Sequence, residues 1–337
     1  MRKKIGKAVA LILAVSALFA SLSSCGEEER KSKTYYDYFD TVSTLYSFAD
    51  DSDDVFCANA EAFRQEIATC HKLFDIYNSY DGVNNIKTVN DMAGKGAVKV
   101  DGRIIDLLSF SKEMYVKTSG AVNVAMGSVL RIWHECRGDG KRVPTEEELT
   151  LASLHCDIEK LVIDKAKGTV ELLDPEMSLD VGAVAKGFAI DRAASVLRSR
   201  GARAYAIDVG GNLYAIGEKP DGTPFKTGVE NPDGGDYPAY IDVRNGAVAT
   251  SGDYQRYYTV AGVTYHHIIN GKTLFPSNYH RSVSVYSESA ALSDALSTAL
   301  FNTESYGAAK NMIRSIGGVR EVIFINKNGG VERITPR

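Results

Sequence analysis

The chain has 337 residues, a formal net charge of −4 and a charged fraction of 24 %. That slightly acidic balance, with no basic stripe, excludes nucleic acid as the expected partner. About 300 residues beyond the N-terminal segment suffice for one large domain or two intimate ones.

The N-terminus reads as targeting rather than fold. Arg2, Lys3 and Lys4 precede an apolar run from Ala8 to Leu22 that is short and rich in small residues. It ends in Leu22-Ser23-Ser24-Cys25, followed by Gly26. This resembles the lipobox of bacterial lipoproteins, which implies a signal over 1–24, lipidation at Cys25 and attachment to the extracytoplasmic face of the cell membrane. An ordinary secretory signal with a chance cysteine is the alternative. A polar tether is expected over 25–33 and a single body over 34–337. Cys57, Cys70, Cys136 and Cys156 show no CxxC spacing, so zinc is not expected. Two disulfides and buried free thiols both remain open.

In chain order, Tyr35 to Phe48 reads as a strand or hairpin and Asp54 to Phe74 as a helix. The expected apolar face of that helix is Val55, Ala58, Ala62, Ile67, Cys70 and Phe74. Asp75 to Asn90 is polar and reads as a loop. A strand near Val98, a helix over Arg103–Thr118 and a helix start at Pro144–Glu148 follow. Short strands are expected over Leu161–Ile163 and Thr169–Leu173. Ser178 to Ala194, SLDVGAVAKGFAIDRAA, begins like a strand and passes into a helix. Strands follow at Ala204–Ile207, up to Ile216, Phe225–Val229, Tyr240–Val243, Ala247–Thr250, Tyr257–Val260, Tyr265–Ile269 and Arg281–Tyr286. Helices over Ala290–Asn302 and Ser305–Ile316 and two closing strands complete the chain. Many hairpins with helices between them favour α+β over a regular βαβ series.

Several stretches could carry chemistry. Lys186 and small residues gather at the helix start after Asp180, which suits a phosphate. Asp294 and Thr298 lie four apart, so they share a helical face and offer a hard cation two oxygens. They could equally be an acid near the helix dipole and a threonine bonding back to its own turn. Of the adjacent His266 and His267, one could act as a base, or both could be polar strand residues. The turns TSGD (250–253) and DVGGN (208–212) could line a pocket or be plain turns. No Walker motif, GxGxxG or GxSxG occurs.

Taken together, LDVGAVAKGFAIDRAA, AIDVGGNLYAIGEKPDGTPFKTGVENP, AVATSGDYQRY, HHIINGKT and ALSDALSTAL resemble the ApbE family, the FAD:protein FMN transferases. FDTVST, FDIYNSYDGVNNI and VNVAMGSVLRIW extend the resemblance back to about Tyr35. It implies a T-fold-related α+β domain with an FAD cleft. It also implies Mg²⁺-dependent transfer of FMN from FAD to a Thr or Ser hydroxyl of an acceptor protein, with AMP leaving. The acceptors it implies are subunits of respiratory or other extracytoplasmic electron-transfer systems. Carried over, Asp294, Thr298 and the Ala183 carbonyl are the metal ligands and His267 the base. Phe39, Tyr77, Ala121, Val122, Asn123, Asp180, Lys186 and Ile269 contact the nucleotide. An FAD pyrophosphatase and a lipid-anchored flavin-binding protein without turnover are the alternatives.

The sequence departs from the family pattern in places. Phe39-Asp40-Thr41 replaces Met-Gly-Thr, and Val122-Asn123-Val124 replaces a Phe-Asp-Pro-like run. His267-Ile268-Ile269-Asn270-Gly271-Lys272-Thr273-Leu274 replaces His-Ile-Ile-Asp-Pro-x-Thr-Gly.

Overall fold

The structure is a computed structural model that describes residues 30–336. Cys25 and the segment expected to be a signal lie outside the described residues. Strand β1 (Lys31–Tyr38) already includes residues 31–33, which were expected to be tether. It pairs with β2 (Thr41–Ser47) in the expected hairpin.

These strands open an antiparallel sheet with β6 (Tyr205–Val209), β7 (Asn212–Ile216), β10 (Gly246–Gly252), β13 (His280–Ser287), β14 (Val319–Asn326) and β15 (Val331–Ile334). The order across its eight strands is β1-β2-β6-β7-β10-β13-β14-β15. The sheet is open, and the period of two along each strand divides its side chains between two cores. Ile207, Val283, Val285, Val322 and Phe324 belong to the larger core, shared with the helices. Ala206, Val248, Ile323 and Ile325 belong to a second, under the hairpin β8 (Phe225–Val229) and β9 (Ala239–Val243). Covering both faces explains why these strands read as near-continuous apolar runs.

The helical side is built from α1 (Asp53–Phe74), α3 (Gly102–Lys117), α6 (Ala185–Ser199), α7 (Ala290–Phe301) and α8 (Tyr306–Ile316). Between α1 and α3 lie α2 (Ile86–Asp91) and β3 (Val98–Lys99); β3 joins β5 (Thr169–Leu172) and β4 (Leu161–Asp164) in a small sheet. A third apolar cluster lies under α4 (Gly127–Asp139), α5 (Glu146–Ser153) and the hairpin of β11 (Tyr257–Val260) with β12 (Val263–His266). Trp133 is central to it and donates its indole N–H to the Leu274 carbonyl at 2.9 Å. Among the described residues no helix is long and apolar enough to cross a membrane. Cys57, Cys70, Cys136 and Cys156 are free thiols.

Four local expectations shift. The buried face of α1 runs through Phe56, Ala60, Phe63, Ile67 and Cys70, while Val55 is 47 % exposed. The stretch expected as a loop over 75–90 contains α2, nucleated by a capping box between Asn85 and Thr88. The segment at 178–181 is not a strand. Leu179 exchanges both backbone groups with the Asn90 side chain, at 2.7 and 3.0 Å, and the Asp180 N–H goes to the Val124 carbonyl. Finally, β12 stops at His266, so His267 lies just beyond the strand.

Candidate active site

Helices α6 and α7 touch through small residues. At Gly187 a Cβ would lie 2.2 Å from the Ala290 carbonyl oxygen, so glycine permits the approach. Each helix then satisfies the other's backbone. Asp191 of α6 accepts the Ala290 and Ala291 N–H groups at 2.8 and 2.9 Å and the Ser289 hydroxyl at 2.6 Å. Burial pushes the Asp191 carboxyl up, and these donors oppose it. In return, Asp294 of α7 accepts the Gly187 N–H on Oδ2 at 2.9 Å. That amide is the donor that would otherwise close the first turn on the Ala183 carbonyl.

Asp294 is 6 % exposed, and its Oδ1 accepts the Asn212 side-chain amide at 2.9 Å. Lys186 Nζ is 3.8 Å from the same oxygen. Thr298 Oγ1 lies 3.3 Å from Ser251 Oγ, which also meets Ser297 Oγ at 2.9 Å. One carboxylate with a second lone pair on each oxygen, a hydroxyl and a diverted carbonyl form a hard oxygen set. It fits Mg²⁺, which takes few protein ligands and keeps waters. Among the described residues no group of three or more His, Cys, Asp or Glu is placed to hold a metal.

The glycines of DVGGN have φ of 60° and 87°, making a tight hairpin that delivers Asn212 to Asp294. Burial pushes the neighbouring Asp208 carboxyl up to about 6; the Gly211 N–H and Lys186 hold it back. TSGD is not a turn: Thr250, Ser251 and Gly252 are the end of β10, paired with β13, and the strand presents Ser251 to Thr298.

A cavity of about 370 Å³ opens at the segment that leads into α6, walled by Tyr77, Asn90, Arg131, His134, Glu135 and Asp180. A second cavity of about 440 Å³, at Thr69, Lys72, Asn84 and Lys99, shares none of these residues. Asp180 Oδ1 accepts the Gly182 N–H at 2.9 Å, and Oδ2 lies 3.9 Å from His134 Nε2. The Tyr77 hydroxyl meets His134 Nδ1 at 3.0 Å, with its ring 60 % exposed. Burial pushes His134 down, against the pull of Asp180.

The remaining expected contacts are less open. Val122 is buried in the main core. The Asn123 amide donates to the Cys156 carbonyl at 2.9 Å, and its oxygen accepts the Ala125 N–H. This loop therefore offers a ligand main chain and the partly exposed Ala121. Ile269 is 7 % exposed and packs in the Trp133 cluster, so its side chain faces the core. Phe39 sits at the β1–β2 turn with φ of 54°.

The two adjacent histidines have separate roles. His266 is buried; Nε2 donates to the Ser277 carbonyl at 2.7 Å and Nδ1 accepts the Ile268 N–H at 3.2 Å. His267 Nδ1 lies 3.3 Å from the Arg256 carbonyl, which also accepts the His267 N–H at 3.0 Å. A carbonyl can only accept, so Nδ1 carries the proton and Nε2 keeps its lone pair. Burial, then Arg256, His266 and Arg137, push the His267 imidazole down to about 3, so it is neutral at physiological pH. Arg137 and Arg256 push both His134 and His267 down, so the two imidazoles feel the same pair of guanidinium charges.

The departures after His267 are accommodated locally. Leu274, where the family pattern has Gly, holds φ of 63°. Its carbonyl takes the Trp133 indole, and its N–H donates to the Asn270 carbonyl at 2.8 Å. The Asn270 amide donates to the Asn302 carbonyl at 3.3 Å, a bond an aspartate could not make. Asn302 caps α7 one turn after Thr298, so the His267 loop is tied to the helix that carries Asp294.

Asp191 and His134 carry no site reading in the sequence, whereas Asn212 and Ser251 belong to DVGGN and TSGD, which read as possible pocket-lining stretches. Asp191 follows Gly187 by four, on the same face of α6, and that spacing was the available signal. His134 stands in the quoted VNVAMGSVLRIW segment's continuation and carried none.

An oxygen-lined helix junction beside a lysine, an adjoining cavity and a neutral histidine are groups that an enzyme acting on a phosphate-bearing ligand uses. The chain belongs to the ApbE family, whose model matches residues 39–324. It is 33 % identical over 256 residues to an FAD:protein FMN transferase of Treponema pallidum (strain Nichols), covering 71 % of this chain and 70 % of that one. A Haemophilus influenzae protein of the same name is 28 % identical over 306 residues, covering 88 % and 87 %. The crystal structure of the ApbE protein of Thermotoga maritima superposes with a TM-score of 0.80 at 27 % identity, covering 90 % of this chain and 97 % of that one.

Proposed function

We propose that this protein transfers the FMN half of FAD to a Thr or Ser hydroxyl of an acceptor protein. In that reaction a new P–O bond forms between the FMN phosphorus and the acceptor oxygen. The pyrophosphate P–O bond breaks, AMP leaves with the bridging oxygen, and the hydroxyl proton passes to His267 Nε2. The observation that carries this reading is the neutral His267, whose Nδ1–H is committed to Arg256 while Nε2 remains an acceptor. The names of the relatives support the same activity.

Asp294, Thr298 and the Ala183 carbonyl would hold Mg²⁺, which when bound there would neutralise phosphate charge and polarise the bond to be broken. Lys186 adds a positive charge on the same side. Tyr77 and Asp180 wall the adjoining cavity and orient the nucleotide. Because phosphoryl transfer depends mostly on positioning and electrostatics, most of these residues place the substrate rather than react. The sequence at Cys25 supports a lipid anchor on the extracytoplasmic face of the membrane. The acceptors would then be flavoprotein subunits of electron-transfer systems on that side.

His267→Ala tests the assignment of the base. Acceptor flavinylation should slow by roughly 10²–10⁴-fold, while FAD binding changes little. An equal loss of both would make His267 a structural residue.

A further inference from the structure

We propose that His71 is a positioning residue for the flavin nucleotide, joining the Phe39 turn to the Tyr77 loop through Tyr80 and Asp75. The inference rests on the reading that Phe39 and Tyr77 line the FAD cleft.

The β1–β2 turn is made by Phe39 and Asp40, with φ of 54° and 51°. Phenylalanine adopts that left-handed conformation only where its surroundings impose it. His71, in the last turn of α1, supplies the constraint. Its Nδ1 accepts the Phe39 N–H at 3.2 Å, and the two rings meet edge-on at 5.6 Å.

The other ring nitrogen, Nε2, faces the Tyr80 hydroxyl at a longer 3.5 Å, and that hydroxyl donates to Asp75 Oδ2 at 2.8 Å. The proton placement is determined at each step. The Phe39 amide can only donate, so Nδ1 accepts and the neutral ring carries its proton on Nε2. The Tyr80 hydroxyl donates its hydrogen bond to the carboxylate and accepts one from Nε2.

Asp75 then shapes the Tyr77 loop. Its Oδ1 accepts the Tyr77 and Asn78 N–H groups at 2.6 and 3.0 Å, and Oδ2 accepts the Asn78 side-chain amide at 2.9 Å. Two elements far apart in sequence, each holding an expected nucleotide contact, are therefore set by one relay. His71 itself has no place in the helix-junction chemistry. Its effect should fall on nucleotide binding rather than on the transfer step.

The test is FAD titration by flavin fluorescence, alongside steady-state transfer, on folded wild type, His71→Phe, His71→Asn, Tyr80→Phe and Phe39→Ala. Loss of one such hydrogen bond corresponds to roughly five- to tenfold in affinity. His71→Phe should raise the FAD Kd and KM by about that factor, with kcat at saturating FAD within about twofold. His71→Asn, whose amide oxygen can replace Nδ1 as acceptor, should recover most of the loss. Tyr80→Phe, which removes only the hydroxyl, should show a smaller increase in the same direction. Unchanged Kd in His71→Phe, a loss confined to kcat, or an Asn variant as weak as the Phe variant would each overturn the relay. If His71→Phe does not fold, an unchanged Kd in Tyr80→Phe overturns it. Phe39→Ala separates the two levels. If it binds FAD normally, the cleft reading itself fails; weakened binding in His71→Phe alone would then show that His71 acts by another route.

Discussion

Gly187→Ala is the sharpest perturbation of the helix junction. The added methyl would lie 2.2 Å from the Ala290 carbonyl oxygen and 2.7 Å from Asp294 Cβ. Ordinary contact needs about 1 Å more, so α6 and α7 must part. Overpacking against backbone costs roughly 2–3 kcal/mol, the upper part of the usual range. The better helix propensity of alanine returns about 1 kcal/mol. The net expectation is about 1–2 kcal/mol of lost stability. The effect on activity should be larger, because the Gly187 amide and Asp294 hold each other, and a displacement of about 1 Å at a reacting centre costs about 10²-fold. Urea unfolding and the FMN transfer rate read the two effects separately. Gly138→Ala is the control. It lies in α4 with nothing within 4 Å of the added methyl. It should leave transfer unchanged and stability equal or up to about 1 kcal/mol higher. A Gly187→Ala protein as stable and active as wild type would refute the account of the junction.

Asp294→Ala should abolish the Mg²⁺-dependent activity and calorimetric Mg²⁺ binding. It also leaves the Gly187 and Asn212 donors unpaired, at about 1–3 kcal/mol each. Full activity in a folded variant would remove Asp294 from the ligand set. Asn270→Asp restores the family's residue but sets a carboxylate against the Asn302 carbonyl. Thermal unfolding should show a loss of about 1–3 kcal/mol, and a gain would contradict the role of the amide. Stability should also fall as pH drops from about 6.5 towards 3, because over that window the unfolded chain binds a proton that folded His267 refuses. The slope contributed by one such histidine is up to about 1.4 kcal/mol per pH unit. His134 and His266 are shifted in the same direction. His267→Gln should flatten the pH dependence of the urea midpoint; an unaltered slope would mean that His267 titrates normally.

Much of the architecture was legible because it rests on periodicity. The strands from β6 to β15 and helices α1, α3, α7 and α8 fell within a few residues of the positions expected. The errors have local causes. At 178–181 an alternating pattern suggests a strand; only a single parallel bridge from Ser178 to Met126 forms, and beyond it the backbone partners are the Asn90 side chain and Val124, which no period encodes. In α1 the apolar stripe was drawn through Val55 and Ala58, whereas Phe56 and Ala60 face the core.

The site divided in the same way. Asp294 and Thr298 stood out because they are four apart in a run of small residues. The groups that orient them were legible only as two candidate stretches, DVGGN and TSGD, because Asn212 at the start of β7 and Ser251 at the end of β10 lie far from Asp294 and Thr298 in sequence. The exposed roles of Val122, Asn123 and Ile269 were inferred from resemblance alone. The structure turns Val122 and Ile269 inward and commits the Asn123 amide to neighbouring backbone.

Passage of the FMN moiety to a protein is what distinguishes transfer from hydrolysis. It is tested most directly by incubating the purified protein with FAD, Mg²⁺ and a candidate acceptor subunit, then denaturing the mixture and measuring flavin fluorescence on the acceptor band. Flavin fluorescence on the acceptor should survive denaturation, be lost when the acceptor Thr is changed to Ala, and appear with one AMP per acceptor labelled. Free FMN and AMP with an unlabelled acceptor would contradict it and leave hydrolysis as the reaction. FAD recovered intact would contradict catalysis altogether.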